Sequence, residues 1–176
     1  MKKSDTVYVI DANVLVQAHR RWYGFSFHPG FWDFLLAMQD GGRLVSIDRV
    51  RSEILAGDEL ETWVSKETPV GFFQTTATQE VVGHYAAMMQ WVQGNGQFKP
   101  EAKAEFASVA DGWLAAYAKA HPYHVVVTHE EFSDDAKKRV PLPNVCKHFG
   151  VPWMDTFAML RALPAKFVSA KSEPWD

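Results

Sequence analysis

Four acidic residues stand at positions where carboxylates could do chemistry: Asp11, Glu53, Asp111 and Glu130. Asp11 and Glu130 each follow an apolar segment, whereas Glu53 and Asp111 belong to segments with helical spacing. If these side chains meet, they repel one another unless they bind a divalent cation or some of them stay protonated. Carboxylate oxygens, in the absence of cysteine or histidine ligands, select the hard ions Mg²⁺ and Mn²⁺. The first hypothesis is therefore a carboxylate site for one of these ions.

Each of these positions, taken alone, also has a structural explanation. Asp111 stands where it could cap a helix, as does Asp48, because helix N-termini favour carboxylates. Glu53 alone would be a surface residue, since glutamate is rarely buried without a partner. Asn13 could cap a helix, or it could hold a carboxylate or a water molecule by hydrogen bonds, as could Thr128. The set of acids is therefore more informative than any one of them.

Alternating strands and helices are expected to bring the acids together. The β-branched and aromatic segments 7–10, 44–47 and 124–128 predict strands buried on both faces, which is typical of a parallel sheet. Helical segments separate them, so the sequence predicts an α/β fold, a three-layer α/β/α domain with a central parallel sheet. Ligands bind beyond the carboxyl ends of the strands in such sheets. The acids reach that edge if the connections are right-handed crossovers.

Helical spacing and chain breakers predict the remaining elements. Helices are expected at 14–18, 31–38, 49–55, 59–66, 78–92, 100–107, 111–120, 144–149 and 155–162. The helix at 78–92 should have an apolar side formed by Val81, Val82, Tyr85, Met88, Met89 and Val92. Loops are expected at 22–30 and 131–143, and short extended pieces at 72–73 and 151–153.

Length and composition favour one compact domain. The 176 residues predict a single domain, 1–176, with a core of about 7–168, and a hydrophobic fraction of 47% is enough to fill that core. The single cysteine, Cys146, excludes an internal disulfide and a cysteine-based zinc site, and it suits a reducing compartment. The first apolar run is too short for a signal peptide or a membrane span, so a cytoplasmic protein without a membrane partner is expected.

The net charge limits the kind of nucleic-acid binding that is expected. A formal charge of −3 argues against tight non-specific binding, whereas an enzyme needs only a local basic rim. The candidates for a substrate rim are Arg20, Arg21, Lys137 and Lys138, with Arg49, Arg51, Arg139 and Lys147 as further basic residues. Trp22 and Tyr23 could stack on unpaired bases, although packing is the commoner role of such aromatic side chains. His129 could assist proton transfer, or it is simply exposed at a strand end.

The order and spacing of the acidic motifs resemble those of PIN-domain nucleases. The segment YVIDANVLVQA, which contains Asp11 and Asn13, is similar to the first motif of that family. The segment VSIDRVRSEI is similar to the second motif, with Glu53 in the acidic position. The segment ADGWLAAYAKAHPYHVVVTHE, which contains Asp111 and ends at Glu130, resembles the third and fourth motifs together. More narrowly, RWYGFSFHPGFWDFL, FKPEAKAEFASVAD and LPNVCKHFGVPWMDTFAMLRAL resemble a PIN-like family known as DUF4411, and the likeness spans residues 7–168.

The resemblance implies a Mg²⁺- or Mn²⁺-dependent endoribonuclease, of the kind found as VapC-type toxins. The residues that it makes catalytic residues and metal ligands are Asp11, Glu53, Asp111 and Glu130. Two such ions can activate a water molecule and compensate charge at the scissile phosphate. Asp11 and Asp111 would be central, Glu53 would bind or orient the first ion, and Glu130 or Asp134 would support the second. The implied partners are RNA, an antitoxin protein and a second copy of the chain.

Other classes of enzyme find little support in the sequence. The histidines lack zinc-site spacing, no Gly-x-Ser-x-Gly or Gly-x₄-Gly-Lys motif occurs, and Asn13 stands where haloacid-dehalogenase phosphatases need a second Asp. Two alternatives stay open beside the ribonuclease: a catalytically degenerate PIN-like module that binds RNA or protein, and a DNA-processing nuclease on the same fold. An interaction protein that merely shares the fold is a third reading.

Overall fold

A parallel sheet of five strands forms the centre of the protein. The computed structural model of the chain describes residues 6–54 and 58–167. The strands are β1 (Val7–Ile10), β2 (Leu44–Ile47), β3 (Phe73–Gln74), β4 (His124–Val127) and β5 (Trp153–Met154). They lie in the order β3-β2-β1-β4-β5, and every neighbouring pair is parallel.

Helices connect the strands and cover the sheet, so the predicted three-layer α/β/α fold is confirmed. The α-helices of the described residues are α1 (Ala12–Gln17), α2 (Pro29–Asp40), α3 (Asp48–Ile54), α4 (Glu59–Lys66), α5 (Gln79–Gly94), α6 (Pro100–Ser108), α7 (Asp111–Ala120), α8 (Leu142–Phe149) and α9 (Thr156–Ala162). A π-helical turn, Ala18–Trp22, continues α1. None of the helices in these residues has the length and apolar character needed to cross a bilayer.

The apolar strand segments are buried because the sheet is covered on both faces. Val9 and Ile10 of β1 and Val126 and Val127 of β4 have no exposed surface. Continuous apolar strands of this kind are typical of the centre of a parallel sheet. The core therefore lies around β1 and β4, the strands that precede two of the four predicted acids.

Several local features differ from the sequence-based expectations, and three of them concern α8, α2 and α5. α8 begins at Leu142 rather than at position 144, because Pro143 lies in the first turn, where its missing N–H costs no helical hydrogen bond. α2 likewise begins at Pro29, inside the expected loop 22–30. Val82, expected on the apolar side of α5, is 45% exposed. The expected helix end at position 55 and core end at position 168 lie outside the described residues.

The order of the strands creates a switch point beside β1. The chain runs from β1 to β2 and β3 in one direction, and then returns to place β4 and β5 on the other side of β1. The connections on the two sides of β1 diverge, and they leave a crevice beyond the carboxyl ends of β1 and β4. Asp11 and Glu130 follow these two strands in the sequence.

A close approach between helices fixes the start of α7. A Cβ atom added to Gly112 would lie 3.0 Å from Cε2 of Tyr85 and 3.2 Å from Cε1 of Phe106. The Tyr85 ring is itself stacked on Trp113, with ring centroids 3.7 Å apart. Glycine at this position therefore lets the first turn of α7, which carries Asp111, pack tightly against α5 and α6.

The variant Gly112→Val should lower the melting temperature, because the added side chain must displace Tyr85 or Phe106. Overpacking of this kind costs about 1–3 kcal/mol, and each kcal/mol shifts the melting temperature by about 2–4 °C in a chain of this size. Thermal unfolding followed by circular dichroism gives the measurement.

Gly83→Ala is the matched control for this substitution. Gly83 lies within α5, and nothing lies within 4 Å of a Cβ atom added there. Alanine favours a helix interior by about 1 kcal/mol over glycine, so this variant should be more stable than the wild type. Equal stability of Gly112→Val and the wild type would show that α7 does not depend on this close approach.

Candidate functional site

All four predicted acids line one cavity at the carboxyl edge of the sheet, with a volume of about 420 Å³. Asp11 is the first residue after β1, and Glu130 lies three positions beyond the last residue of β4. Glu53 lies in α3, and Asp111 is the first residue of α7. Four distant segments of the chain therefore contribute one carboxylate each to the same cavity.

Asp11 is the most buried of these acids, with 2% of its surface exposed. Thr128 Oγ1 donates a hydrogen bond of 2.8 Å to Asp11 Oδ2. Burial is the largest of the causes that raise the pKa of Asp11 to about 7; the negative charges of Glu130 and Glu53 also raise it, and the Thr128 hydrogen bond opposes the rise. The folded protein therefore holds this carboxylate in a place that disfavours its charged form.

Asn13 supports Asp11 through Thr128 and does not cap a helix. Asn13 Nδ2 donates to Thr128 Oγ1 over 3.0 Å, and Asn13 Oδ1 accepts from the backbone N–H of His129 over 3.2 Å. The N-cap position of α1 belongs to Asp11, whose side chain makes no capping hydrogen bond. The capping explanation for Asn13 is therefore wrong, and its side chain ties the end of β4 to the start of α1.

Asp111 does not act as a cap either. Ala110 occupies the N-cap position of α7, and no side chain caps this helix. Within the described residues, the Asp111 carboxylate has no hydrogen-bond partner. Burial, followed by the charges of Asp11, Glu130 and Glu53, raises the pKa of Asp111 to about 8, and the charge of Arg139 opposes that rise. A half-buried carboxylate without a donor is a group that a cation would stabilise.

Backbone N–H groups hold the two glutamates. Glu53 Oε1 accepts from the N–H of Ala110 over 2.6 Å, and Glu130 Oε2 accepts from the N–H of Leu142 over 2.7 Å. Partial burial raises the pKa of Glu53, and the Ala110 N–H opposes that rise. Glu53 is exposed at its surface, as the simple reading of its sequence position predicts, yet its carboxylate is tied to the residue before Asp111.

Arg139 forms an ion pair with Glu130 at the edge of the acidic cavity. Its guanidinium group is the positive charge that lowers the pKa of Asp111. Arg139 was a general basic candidate in the sequence, and nothing in its spacing indicates a partner nine positions earlier in the chain.

The four acids offer the type of ligand that a hard divalent cation prefers, because all of them are carboxylates. The Asp111 carboxylate in addition accepts no hydrogen bond within the described residues. Within residues 6–54 and 58–167, however, no three carboxylate, imidazole or thiol groups are gathered as a ready metal site. The two glutamates are held by Ala110, Leu142 and Arg139. The acids thus share a cavity without meeting at one point, and binding of an ion would require the side chains to turn inward.

A second cavity, of about 840 Å³, adjoins the acidic one and contains the predicted basic pair Lys137 and Lys138. Asn13, Glu130 and Arg139 line both cavities. The other predicted pair is placed elsewhere: Arg20 and Arg21 are exposed on the π-helical turn, and they line neither of these two cavities.

The aromatic pair beside the first helix is engaged in packing. The Trp22 ring lies 4.9 Å from that of His129 and 5.4 Å from that of Phe157. The Tyr23 ring is stacked on Phe31, with centroids 4.2 Å apart. These contacts favour the packing explanation over the base-stacking one, because both rings already have aromatic partners.

His129 is held away from the acidic cavity. Its Nε2 forms a hydrogen bond of 2.9 Å with Thr156 Oγ1, and burial lowers its pKa. His129 lines the second cavity, whereas the acidic cavity is lined without it. Its imidazole lies beside Trp22 at the wall of the larger cavity.

Of the two carboxylates considered for the second ion, Glu130 lies in the acidic cavity and Asp134 lies elsewhere. Asp134 is exposed and lines a separate cavity with Trp91, Phe98 and Lys147. The ammonium group of Lys147 lies 3.8 Å above the Phe132 ring. This separate cavity is therefore lined by several aromatic side chains, unlike the acidic cavity.

Sequence reasoning missed several groups around the acids. Glu105 of α6 lines the acidic cavity as a further carboxylate, and its place in a helical segment offers no signal for this. The backbone donors of Ala110 and Leu142 have no side-chain signature at all. Cys146 is buried, and burial, followed by the charges of Asp111, Asp11 and Glu130, raises the pKa of its thiol.

Comparison with known proteins places the chain in one family. The family model described as "Domain of unknown function (DUF4411)" matches residues 8–167. No curated protein matches the chain. The match agrees with the narrower of the two resemblances found in the sequence, and the description states no activity.

The burial of Asp11 and Asp111 predicts how the stability of the metal-free protein depends on pH. Both carboxyl groups have an ordinary pKa of 3.8, whereas their folded pKa values are raised to about 7 and about 8. Between these limits the unfolded chain has released protons that the folded protein still holds. The contribution of the Asp11 and Asp111 carboxyl groups to the free energy of unfolding is therefore present below about pH 4 and is lost as the pH rises to about 8.

The variant Asp111→Asn should remove part of this loss, because an amide carries no charge. In EDTA it should melt a few degrees above the wild type at about pH 8 and close to the wild type at about pH 4. Asp33→Asn, which changes an exposed acid of α2, is the control and should give no such difference. If the Asp111→Asn and wild-type melting curves stay parallel across this range, Asp111 carries no repulsive charge.

Proposed function

The chain belongs to the DUF4411 family, and we propose that it is a metal-dependent endoribonuclease that hydrolyses RNA phosphodiester bonds at the cavity of the four acids. The observation that carries the proposal is that Asp11, which is buried, and Asp111, which is half-buried, line a cavity that Glu53 and Glu130 also line. Such a set raises the free energy of the folded protein unless a cation compensates it. A module that only binds protein or RNA gains nothing from that repulsion.

The residues divide into two pairs by the way in which they are held. Asp11 is held by Thr128, and the half-buried Asp111 accepts no hydrogen bond within the described residues, so these two are the natural ligands of a cation. Glu53 and Glu130 lie on either side, and they would bind or orient the ion and its water. When bound, Mg²⁺ or Mn²⁺ would supply a polarised water and charge compensation at the phosphate. Asn13 and Thr128 would keep the Asp11 carboxylate aimed into the cavity.

Single-stranded or loop RNA is the substrate that these surfaces fit best. The net charge of −3 gives no long-range hold on a duplex. Lys137 and Lys138 line the cavity next to the acids, and they can guide a few phosphates. The resemblance to PIN-domain nucleases supports RNA as well. A DNA-processing nuclease and a catalytically silent relative are the competing functions, and the substrate panel below separates them.

The resemblance to VapC-type toxins extends the proposal to partners. It supports a role as the toxin of a toxin–antitoxin pair in the cytoplasm, with an antitoxin protein that neutralises the nuclease and with self-association of the chain. These partners rest on the resemblance alone, whereas the nuclease rests on the acidic cavity.

The Asp11→Asn variant should abolish Mn²⁺-dependent cleavage and leave the fold intact. The amide keeps the size of the side chain and can still accept from Thr128 Oγ1, but it lacks the charge that binds the ion. Replacing a residue that only hydrogen-bonds to a metal ligand lowers metal affinity or activity by about 10–100-fold, so the loss of a ligand should lower cleavage by at least as much. Asp111→Asn should behave alike, and the double variant should be no worse than either single one.

The assay is a panel of labelled hairpin RNA, duplex RNA and duplex DNA with Mn²⁺, with Asp33→Asn as the matched control. Hairpin RNA should be cut in its single-stranded part, and duplex DNA should stay intact. Full activity of the Asp11→Asn protein would refute the site. Cleavage confined to duplex DNA would favour the DNA-processing alternative, and no cleavage of any substrate by the wild type would favour the silent module.

A further inference from the structure

Arg139 stands at the junction of the two cavities described above. Asn13, Glu130 and Arg139 line both, and Arg139 is the basic member of that shared set. On one side lie the carboxylates of Asp11 and Asp111, and on the other lie Lys137 and Lys138. A guanidinium group at this point can reach either a carboxylate or a polyanion that occupies the larger cavity.

The ion pair between Arg139 and Glu130 is built so that it can be exchanged. The Arg139 side chain is 57% exposed, and among the described residues Glu130 is its ion-pair partner. A guanidinium carries five N–H donors, most of which are left for another ligand. Glu130 does not depend on Arg139 for its position, because the Leu142 N–H holds its other oxygen. Glu130 therefore keeps its place if Arg139 leaves.

The backbone around Arg139 is anchored, so only the side chain needs to move. Lys99 donates from its backbone N–H to the carbonyl of Lys137 over 2.8 Å. Gln97 Nε2 donates to the carbonyl of Asp134 over 3.0 Å and to that of Ala136 over 2.9 Å. Val140, the next residue, is buried. These contacts fix both ends of the segment that carries Lys137, Lys138 and Arg139.

We propose that Arg139 has two positions: it pairs with Glu130 in the free protein, and it binds a phosphate group of the nucleic acid in the larger cavity when a divalent cation takes its place beside the carboxylates. This inference rests on the proposed function, and it adds a phosphate subsite and a competition between a cation and an arginine. A guanidinium matches phosphate with two parallel hydrogen bonds, which an ammonium group does not. Lys137 and Lys138 then supply charge, whereas Arg139 sets the position of one phosphate relative to the acids.

The two positions predict opposite effects of one substitution. In Arg139→Gln the competing charge is gone, so Mn²⁺ should bind about tenfold more tightly in the absence of RNA. The same variant has lost a charge-assisted contact, so single-stranded RNA should bind about tenfold more weakly. Arg139→Lys keeps the charge but not the paired donors, and it should leave Mn²⁺ affinity near that of the wild type while RNA affinity falls. Arg161→Gln, which changes an exposed arginine of α9, is the control and should alter neither affinity.

The experiment uses the full chain and two binding measurements. Free Mn²⁺ is measured by electron paramagnetic resonance during a titration without RNA. RNA affinity is measured by fluorescence anisotropy in Mn²⁺ with a short labelled single strand that carries phosphorothioate linkages and is checked to be intact afterwards. Thermal unfolding of each variant reports its stability separately.

Each result supports or overturns the proposal. Tighter Mn²⁺ binding together with weaker RNA binding supports it. Tighter Mn²⁺ binding with unchanged RNA affinity would make Arg139 a counter-charge only, and weaker binding of both would make it a structural residue, so either result overturns the two positions. A wild type that cuts RNA with an Arg139→Gln variant of equal affinities would refute this inference and leave the nuclease standing. A wild type that binds neither Mn²⁺ nor RNA would refute the proposed function and this inference with it.

Discussion

The structure depends on one buried carboxylate, that of Asp11, at the carboxyl end of the central strand. Burying this group costs free energy of folding when it is charged. Asp11 is 2% exposed, and the side chains around it include three more acids from distant segments. Burial and like charge both disfavour the ionised form, so the pKa values of Asp11 and Asp111 are raised. A bound cation would relieve both effects, and this is the basis of the proposed cation site.

Hydrogen-bond donors around the acids offset this cost, and no lysine or arginine of the described residues is buried beside them. Thr128 donates to Asp11, backbone N–H groups hold Glu53 and Glu130, and Arg139 supplies the positive charge from the rim. The switch point between β1 and β4 is what lets the segments meet, because it opens the crevice into which Asp11 and Glu130 both lead. The larger cavity, with Lys137 and Lys138, adjoins the acidic one, so the proposed site for a cation and the proposed site for a polyanion lie side by side.

The fold could be predicted from the sequence because its signals are local. The strands at 7–10, 44–47 and 124–127 are apolar and β-branched, and the helices between them have clear spacing. The shared cavity of the four acids followed from the rule that parallel strands end at one edge. What the sequence did not contain were contacts made through the backbone, such as Ala110 to Glu53, and the choice of partner for Arg139. Arg20 and Arg21 looked equivalent to Lys137 and Lys138, and only the path of the chain separates the two pairs.

The central claim is that the acidic cavity is a divalent-cation site, and anomalous diffraction from crystals grown with Mn²⁺ tests it most directly. The account predicts an anomalous peak within bonding distance of the Asp11 and Asp111 carboxylates, with the Arg139 side chain withdrawn from Glu130. The peak should disappear in crystals of the Asp111→Asn variant grown under the same conditions. A map at saturating Mn²⁺ with no peak in this cavity, and with Arg139 still paired with Glu130, would contradict the account.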